Sequence, residues 1–399
     1  MMISQRAAAL APSETLKISA LAKELQRAGK SVISLSAGEP DFKTPAHICE
    51  AAKKAIDDGH HGYTLNTGTV ELRQAIVNKL QRENNLTFAP DEIVVSNGAK
   101  QSVGFSLLAV VDKGDEVIIP APFWVSYPEM VKLAQGTPVI VRTAFENDFK
   151  LTPAQLRETL TENTKVLILC SPSNPTGSCY TAEELAALGE VLKDYPNVIV
   201  LSDEIYEYIT FDGKHVSMLE VAPFLKNRFI LVNGFSKGFA MTGWRLGWLA
   251  STKEIAGAVA KIQSQETSGP STISQKAGEV ALNSDLSSIQ EMLEAFRTRR
   301  DYMFEALNAI EGVRCFKPGG AFYAFPDVSH YLGRTSPDGK TIENSTDLCM
   351  YLIEAVGLAL VPGDAFGEPN GVRLSYSTDM ESLKEGVKRL ETGLKSLKA

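Results

Sequence analysis

RFILVNGFSKGFAMTGWRLG, residues 228–247, decides the fold. Its apolar run, 229–232, reads as a strand covered on both faces. The loop that follows carries four glycines, Lys237 and Arg245, and is too rich in glycine for a helix. A lysine just past a buried strand sits either in a surface turn or beside a ligand. The surface turn is the ordinary reading for a lone lysine. The GxxxxGK[ST] spacing of a nucleotide phosphate loop is absent.

Outward from this stretch the same kind of run recurs. SVISLSAG (31–38), EIVVSNGA (92–99), DEVIIPAP (115–122), KVLILCSP (165–172), NVIVLSDE (197–204) and RLGWLAS (245–251) are short and rich in Val, Ile and Leu. Helical patterns such as PAHICEAAKKAIDDG (45–59), VELRQAIVNKLQREN (70–84) and AEELAALGEVLKDY (182–195) lie between them. This alternation predicts an α/β domain built on a mainly parallel sheet. Past about residue 290 the texture changes to a long charged helix and a mixed tail, read as a smaller α+β domain. The expected division is an N-terminal arm at 1–35 packing with the small domain, a large domain at 36–290 and a small domain at 291–399. The charge-rich helix at 287–303 is expected to be a solvated surface.

The chain has 399 residues, 44% hydrophobic and 22% charged, with a formal net charge of −8. That composition supports a full core. The negative balance argues against nucleic acid or an anionic membrane as the main partner. The five cysteines are scattered without a CxxC pair, and the five histidines lack ligand spacing, so neither a disulfide framework nor a metal is expected. With neither a signal-peptide pattern nor a long apolar span in view, the expectation is a soluble, cytoplasmic protein.

Polar clusters terminate four strands: SNGAK, PSNPTG, SDEIYEY and GFSKG. Ligands of open α/β sheets bind at the carboxyl ends of strands. Taken together, Asn174, Asp203, Tyr206, Lys237 and Arg245 suit one aldehyde cofactor, pyridoxal phosphate. A lysine amine condenses with its aldehyde, and a carboxylate such as Asp203 keeps its pyridine nitrogen protonated. Asn174 and Tyr206 can donate to its ring oxygen, and Trp124 can stack on its ring. Arg245 and the amides of the NGAK turn at 97–100 can hold its phosphate. Each residue also has a plainer reading. Asp203 could be a solvated strand end, Tyr206 and Trp124 core aromatics, Arg245 the neutraliser of a nearby acid, and Arg373 a structural partner of Glu204.

AGEPDF (37–42), GYTLNTG (62–68), SNGAKQ (96–101), PFWVSYPEM (122–130), SPSNPTG (171–177), SDEIYE (202–207), NGFSKGFAMTGWRLG (233–247), GGAFYAF (319–325) and VRLSYS (372–377) occur in this order. With them the chain resembles the class I pyridoxal-phosphate aminotransferases of fold type I, in the aspartate aminotransferase branch found in many bacteria. The resemblance implies a large domain with a mainly parallel, mixed seven-stranded sheet, and a smaller α+β domain. It implies Lys237 as the Schiff-base lysine, Asp203 at the pyridine nitrogen, Tyr206 and Asn174 at the ring oxygen and Trp124 as the stacking ring. Ala99, Lys100, Ser236 and Arg245 match phosphate-side positions. Arg373 matches the residue that grips the substrate α-carboxylate, and Gly38 lies in the segment that closes over the substrate. Tyr63 matches a tyrosine that reaches the neighbouring subunit's phosphate, which implies a homodimer with shared sites. One departure stands out: Gly234 occupies a position where some relatives have serine, so the phosphate cup lacks a hydroxyl.

The same resemblance implies a ping-pong exchange between aspartate or glutamate and 2-oxo acids, with Lys100 recognising the distal carboxylate. Some members of the branch also convert prephenate to arogenate, and Thr15 and Lys100 fall at the positions linked to that activity. Two other readings stay open at this point: a pyridoxal-phosphate β-lyase, and a non-catalytic binding protein on the same fold.

Overall fold

The structure is a computed structural model that describes residues 2–11 and 14–398, without the side chains of Gln5, Glu14, Thr15, Leu16 and Ser19. Seven strands form the central sheet: β1 (Ile93–Ser96), β2 (Glu116–Ala121), β3 (Thr137–Arg142), β4 (Thr164–Cys170), β5 (Ile199–Asp203), β6 (Phe229–Gly234) and β7 (Gly247–Ala250). Their order is β1-β7-β6-β5-β4-β2-β3. The pairs β2/β3, β2/β4, β4/β5 and β5/β6 are parallel, while β7 runs antiparallel to both its neighbours.

Alternate residues of each strand feed cores on opposite faces of the sheet, as the period of two requires. Val95, Ile118, Leu167, Val200 and Leu231 enter one core, and Val94, Val117, Val166, Leu201 and Ile230 the other. Burial on both faces explains the unbroken Val/Ile/Leu runs.

Two strand expectations change. SVISLSAG supplies no strand of the large sheet; its Ile33–Ser34 pairs in parallel with Leu358–Ala359. The seventh strand is instead β3, an edge strand whose residues are all exposed or half-buried. A second sheet joins β8 (Tyr323–Ala324), β9 (Val361–Pro362) and β10 (Val372–Ser375), with β10 in the middle and antiparallel to both.

Five helices matter for the site: α1 (Glu14–Arg27), α2 (Val70–Asn84), α3 (Ala99–Val110), α4 (Ser126–Leu133) and α5 (Ser287–Asn308). Ile18 and Ala22 of α1 pack with Val32, Ile353 and Ala359. α5 is not simply a solvated surface. Ile289, Met292, Phe296, Arg300, Met303 and Leu307 are buried along one stripe at helical spacing. Arg300 enters the core because Asp212 at 2.7 Å and Asp301 at 2.9 Å neutralise it, with the Phe211 ring 4.7 Å away.

Candidate active site

The polar strand ends meet around one cavity of about 550 Å³. Ser236 and Lys237 reach it from the loop after β6, and Asp203 and Tyr206 from the end of β5. Asn174 follows β4, Ala99 and Lys100 open α3, and Trp124 precedes α4. Arg245 precedes β7, Arg373 comes from β10, and Gly38 belongs to the segment after Ile33–Ser34.

Lys237 Nζ donates to the carbonyl of Gly38 and lies 5.8 Å from the Tyr206 ring centroid. Burial, then the charges of Arg373 and Arg245, bring its amine down to about 8. An amine near that value is available as a nucleophile or base close to neutral pH. Asp203 is buried and accepts from Tyr127 Oη at 2.7 Å and from the Ile205 N–H at 3.3 Å. Burial pushes its carboxyl up to about 6 despite these donors. Tyr206 Oη lies 2.9 Å from Tyr323 Oη, and burial holds the Tyr206 hydroxyl well above its ordinary range.

Arg373 is buried and lines the cavity. Its Nη1 donates to Asn174 Oδ1 at 2.9 Å and its Nη2 to the Ser36 carbonyl at 2.9 Å. Its buried Nε has no partner among the described residues. The guanidinium carbon stands 4.5 Å from the Tyr323 ring centroid. Arg373 does not pair with Glu204, which is engaged by His215 at 2.9 Å, Ser202 at 2.8 Å and Ser217 at 2.7 Å.

The opposite corner is built to receive an anion. Gly98 has φ +86, and a side chain there would meet Arg245 Nη2 at 2.5 Å, so glycine lets the guanidinium lie on the turn. Arg245 Nη1 donates to the Thr242 carbonyl at 2.8 Å. The first turn of α3 has no side-chain cap, which leaves backbone donors at the cavity wall. Lys100 stands 5.2 Å from the Trp124 ring centroid and makes no hydrogen bond or ion pair among the described residues. Burial, then Arg245, lower its pKa.

Tyr63, expected to reach a neighbouring subunit, is 101% exposed and does not line this chain's own cavity. Thr15 falls in α1, and its side chain lies outside the described residues. Conversely, Tyr127 and Tyr323 line the cavity and were not singled out from sequence. Both sit inside quoted motifs, PFWVSYPEM and GGAFYAF, and that was the available signal.

A buried carboxylate, an amine of lowered pKa, a flat indole and an uncapped helix start beside an arginine fit pyridoxal phosphate, group for group. Fold and cavity thus define a fold type I enzyme of the pyridoxal-phosphate kind. The sequence model of the family described as aminotransferase class I and II matches residues 30–390. The chain is 50% identical to an aspartate aminotransferase of Pinus pinaster over 397 residues, 98% of this chain and 80% of that one. It is 48% identical to an aspartate/prephenate aminotransferase of Nitrosomonas europaea, over 98% of this chain and 99% of that one. The crystal structure of the aspartate aminotransferase from Rhizobium meliloti superposes with a TM-score of 0.96 at 44% identity, covering 100% of both chains. The chain belongs to the class I and II aminotransferases and transfers amino groups with pyridoxal phosphate.

Proposed function

We propose that this enzyme moves the amino group of aspartate or glutamate to a 2-oxo acid, and that it also accepts prephenate and yields arogenate. The observation that carries the reading is the unpartnered Nε of buried Arg373 in a cavity shared with Lys237 and the unpaired Lys100. A dicarboxylic substrate needs a cation for each carboxylate. Arg373 offers its fork to the α-carboxylate, and Lys100 is free to take the distal one.

Bound pyridoxal phosphate supplies an electron sink that acidifies the substrate Cα–H. Lys237 would hold the cofactor through its Nζ, and once that amine is free and neutral it would be the base that takes and carries the substrate Cα proton. Asp203 would keep a proton at the pyridine nitrogen. Asn174 and Tyr206 would donate to the ring oxygen, and Trp124 would flank the ring. Arg245, Ser236 and the amides of Ala99 and Lys100 would hold the phosphate, Gly38 would cover the substrate, and Thr15 is carried over from the resemblance as a substrate residue linked to the prephenate activity. The same residues serve the second half-reaction in reverse, which makes the cycle ping-pong.

The enzyme works as a homodimer in which Tyr63 reaches the neighbouring subunit's phosphate. The exposure of Tyr63, Leu65 and Val70 along one segment supports this. The reading also takes 36–290 as the large cofactor-binding domain and 291–399 as the small domain, with the arm 1–35 packing on the small domain, and sets the enzyme in the cytoplasm. Among the described residues no helix is long and apolar enough to cross a membrane.

The test is a donor–acceptor panel on the purified enzyme and on Lys100→Met. With glutamate as donor, oxaloacetate and prephenate should both be aminated. Lys100→Met should raise KM for dicarboxylic partners about tenfold, the loss of one charged contact, and leave KM for alanine unchanged. No turnover with oxaloacetate overturns the proposal, and no arogenate removes prephenate from it. Pyruvate and ammonia released from a β-substituted amino acid would mark a lyase instead.

A further inference from the structure

A second polar cluster, none of whose side chains lines the cavity, is not used by the reaction above. Glu207, one residue past Tyr206, is buried, and three buried side chains donate to it. Asn84 Nδ2 reaches its Oε1 at 2.7 Å, and Asn233 Nδ2 reaches its Oε2 at 2.7 Å. The third donor is Lys79 Nζ, which also donates to Asn84 Oδ1 at 2.7 Å. Asn233 Oδ1 accepts from the Gly234 N–H at 2.7 Å. Every polar side-chain atom in this chain thereby has a partner. Neither asparagine can flip without setting N–H against N–H, and the ionised carboxylate, an acceptor at every lone pair, suits all three donors. Burial pushes the Glu207 carboxyl up, but Lys79 and His215 outweigh it and hold the carboxyl below its ordinary range.

The cluster's place in the chain gives it meaning. Glu207 lies on the loop leaving β5, whereas Asn233 and Gly234 end β6 just before Lys237. The next residue repeats the tie on the other side of the lysine. A side chain at Gly238 would meet Tyr208 Cδ2 at 2.6 Å, so the lysine loop rests against the Tyr208 ring. Tyr208 Oη donates to Glu83 Oε2 at 2.7 Å. The segments before and after Lys237 therefore sit on two consecutive residues, Glu207 and Tyr208. Lys79, Glu83 and Asn84 of α2 hold those two in turn. A buried ion pair adds little net stability over apolar packing of the same volume, whereas its geometry is narrowly fixed.

We propose that Glu207 is a positioning residue for Lys237: through Asn233 it clamps the β6 loop onto the β5 loop and keeps the amine in register with Asp203 and Tyr206. The proposal rests on the reading of Lys237 as the reacting amine. The test compares parent holoenzyme with Glu207→Gln, which keeps the shape of the side chain and turns one acceptor into a donor. A displacement of the order of 1 Å costs roughly a hundredfold in rate. The expected result is a kcat for glutamate lowered by about ten- to a hundredfold, a KM within about threefold of parent, and an altered visible circular dichroism of the bound cofactor. Thermal scans confirm that the variant is folded at the assay temperature. A merely structural role would lower the melting temperature and leave kcat and the visible dichroism of the folded enzyme unchanged; that result overturns the proposal. If Glu207→Gln does not fold, Asn233→Ala carries the same test, because it spares the Lys79–Glu207 pair and severs only the link to the lysine loop. Lys237→Ala is run alongside. Turnover at the parental rate in that variant overturns the underlying reading and this proposal with it. An inactive Lys237→Ala beside a normal Glu207→Gln overturns the positioning role alone.

Discussion

Arg373 Nη1 and Asn174 Oδ1 meet at 2.9 Å, which ties the middle strand of the small sheet to the loop after β4. The contact aims the guanidinium into the cavity and leaves its Nε without a partner among the described residues. A buried donor left unmet costs about 1–3 kcal/mol, and a substrate carboxylate would satisfy it. Arg373→Lys keeps the charge and loses the planar fork. KM for amino donors should rise about 30- to 100-fold, roughly 2–3 kcal/mol, while the cofactor stays covalently attached. Steady-state kinetics with glutamate, beside the cofactor absorbance, check this. An unchanged KM would remove Arg373 from the α-carboxylate role.

Tyr127 donates to Asp203 at 2.7 Å inside the protein. The hydroxyl favours the ionised carboxylate, whose pKa burial has already raised to about 6. Tyr127→Phe removes that help, so Asp203 protonates at higher pH than in the parent. The acid limb of kcat/KM should therefore move upward in pH, with a loss of about tenfold on that limb and less above it. Stability should fall by about 1–3 kcal/mol for the lost buried partner. A pH–rate profile with an unmoved acid limb would count against this role of Tyr127.

The strands buried on both faces were legible because nothing polar interrupts them. β3 was not, because an edge strand with Pro138 and half-exposed positions lacks the apolar run that marks its neighbours. SVISLSAG has such a run, yet only two of its residues join a ladder, since it crosses to Leu358–Ala359 instead of entering the large sheet. At the site, Lys237, Asp203 and Asn174 were legible as polar residues terminating apolar strands. Tyr127 was hidden because its partner is 76 residues away and a phenol beside Met130 and Val131 on the buried face of a helix resembles core. Lys79 and Glu207, 128 residues apart, pair only once the chain is folded. The buried stripe of α5 was masked by the charges on its other face.

The lowered amine of Lys237 makes a prediction about the cofactor-free protein. Its pKa is about 8 in the fold against an ordinary 10.5. Between these values the unfolded chain binds more protons than the native one, so stability rises with pH across that window. Below it, the native protein bears the full cost of charging a buried amine. Lys237→Met removes that cost. The variant should be more stable than the parent at pH 7 by on the order of 1–3 kcal/mol, and the gap should shrink toward pH 10. Denaturant midpoints of both cofactor-free proteins at the two pH values measure it. A gap that does not shrink would mean that the amine is not held down.

Gly234 pairs with Gly247 across the β6–β7 ladder, and the missing side chain is what lets these strands approach. A Cβ at Gly234 would lie 2.9 Å from Gly247 Cα and 3.1 Å from the Leu246 carbonyl oxygen, both backbone atoms that can yield only if β7 moves. The serine that some relatives carry here cannot simply be restored as a phosphate ligand. Gly234→Ser should lower stability by about 1–3 kcal/mol, the range for overpacking a tight site. Because Arg245 lies two residues before Gly247, a displaced β7 would also drag the guanidinium from the phosphate corner. Cofactor affinity should therefore fall, despite the added hydroxyl. Melting temperature and the cofactor dissociation constant test both halves. Tighter cofactor binding at parental stability would show instead that β7 yields freely and that the absent hydroxyl had limited the site.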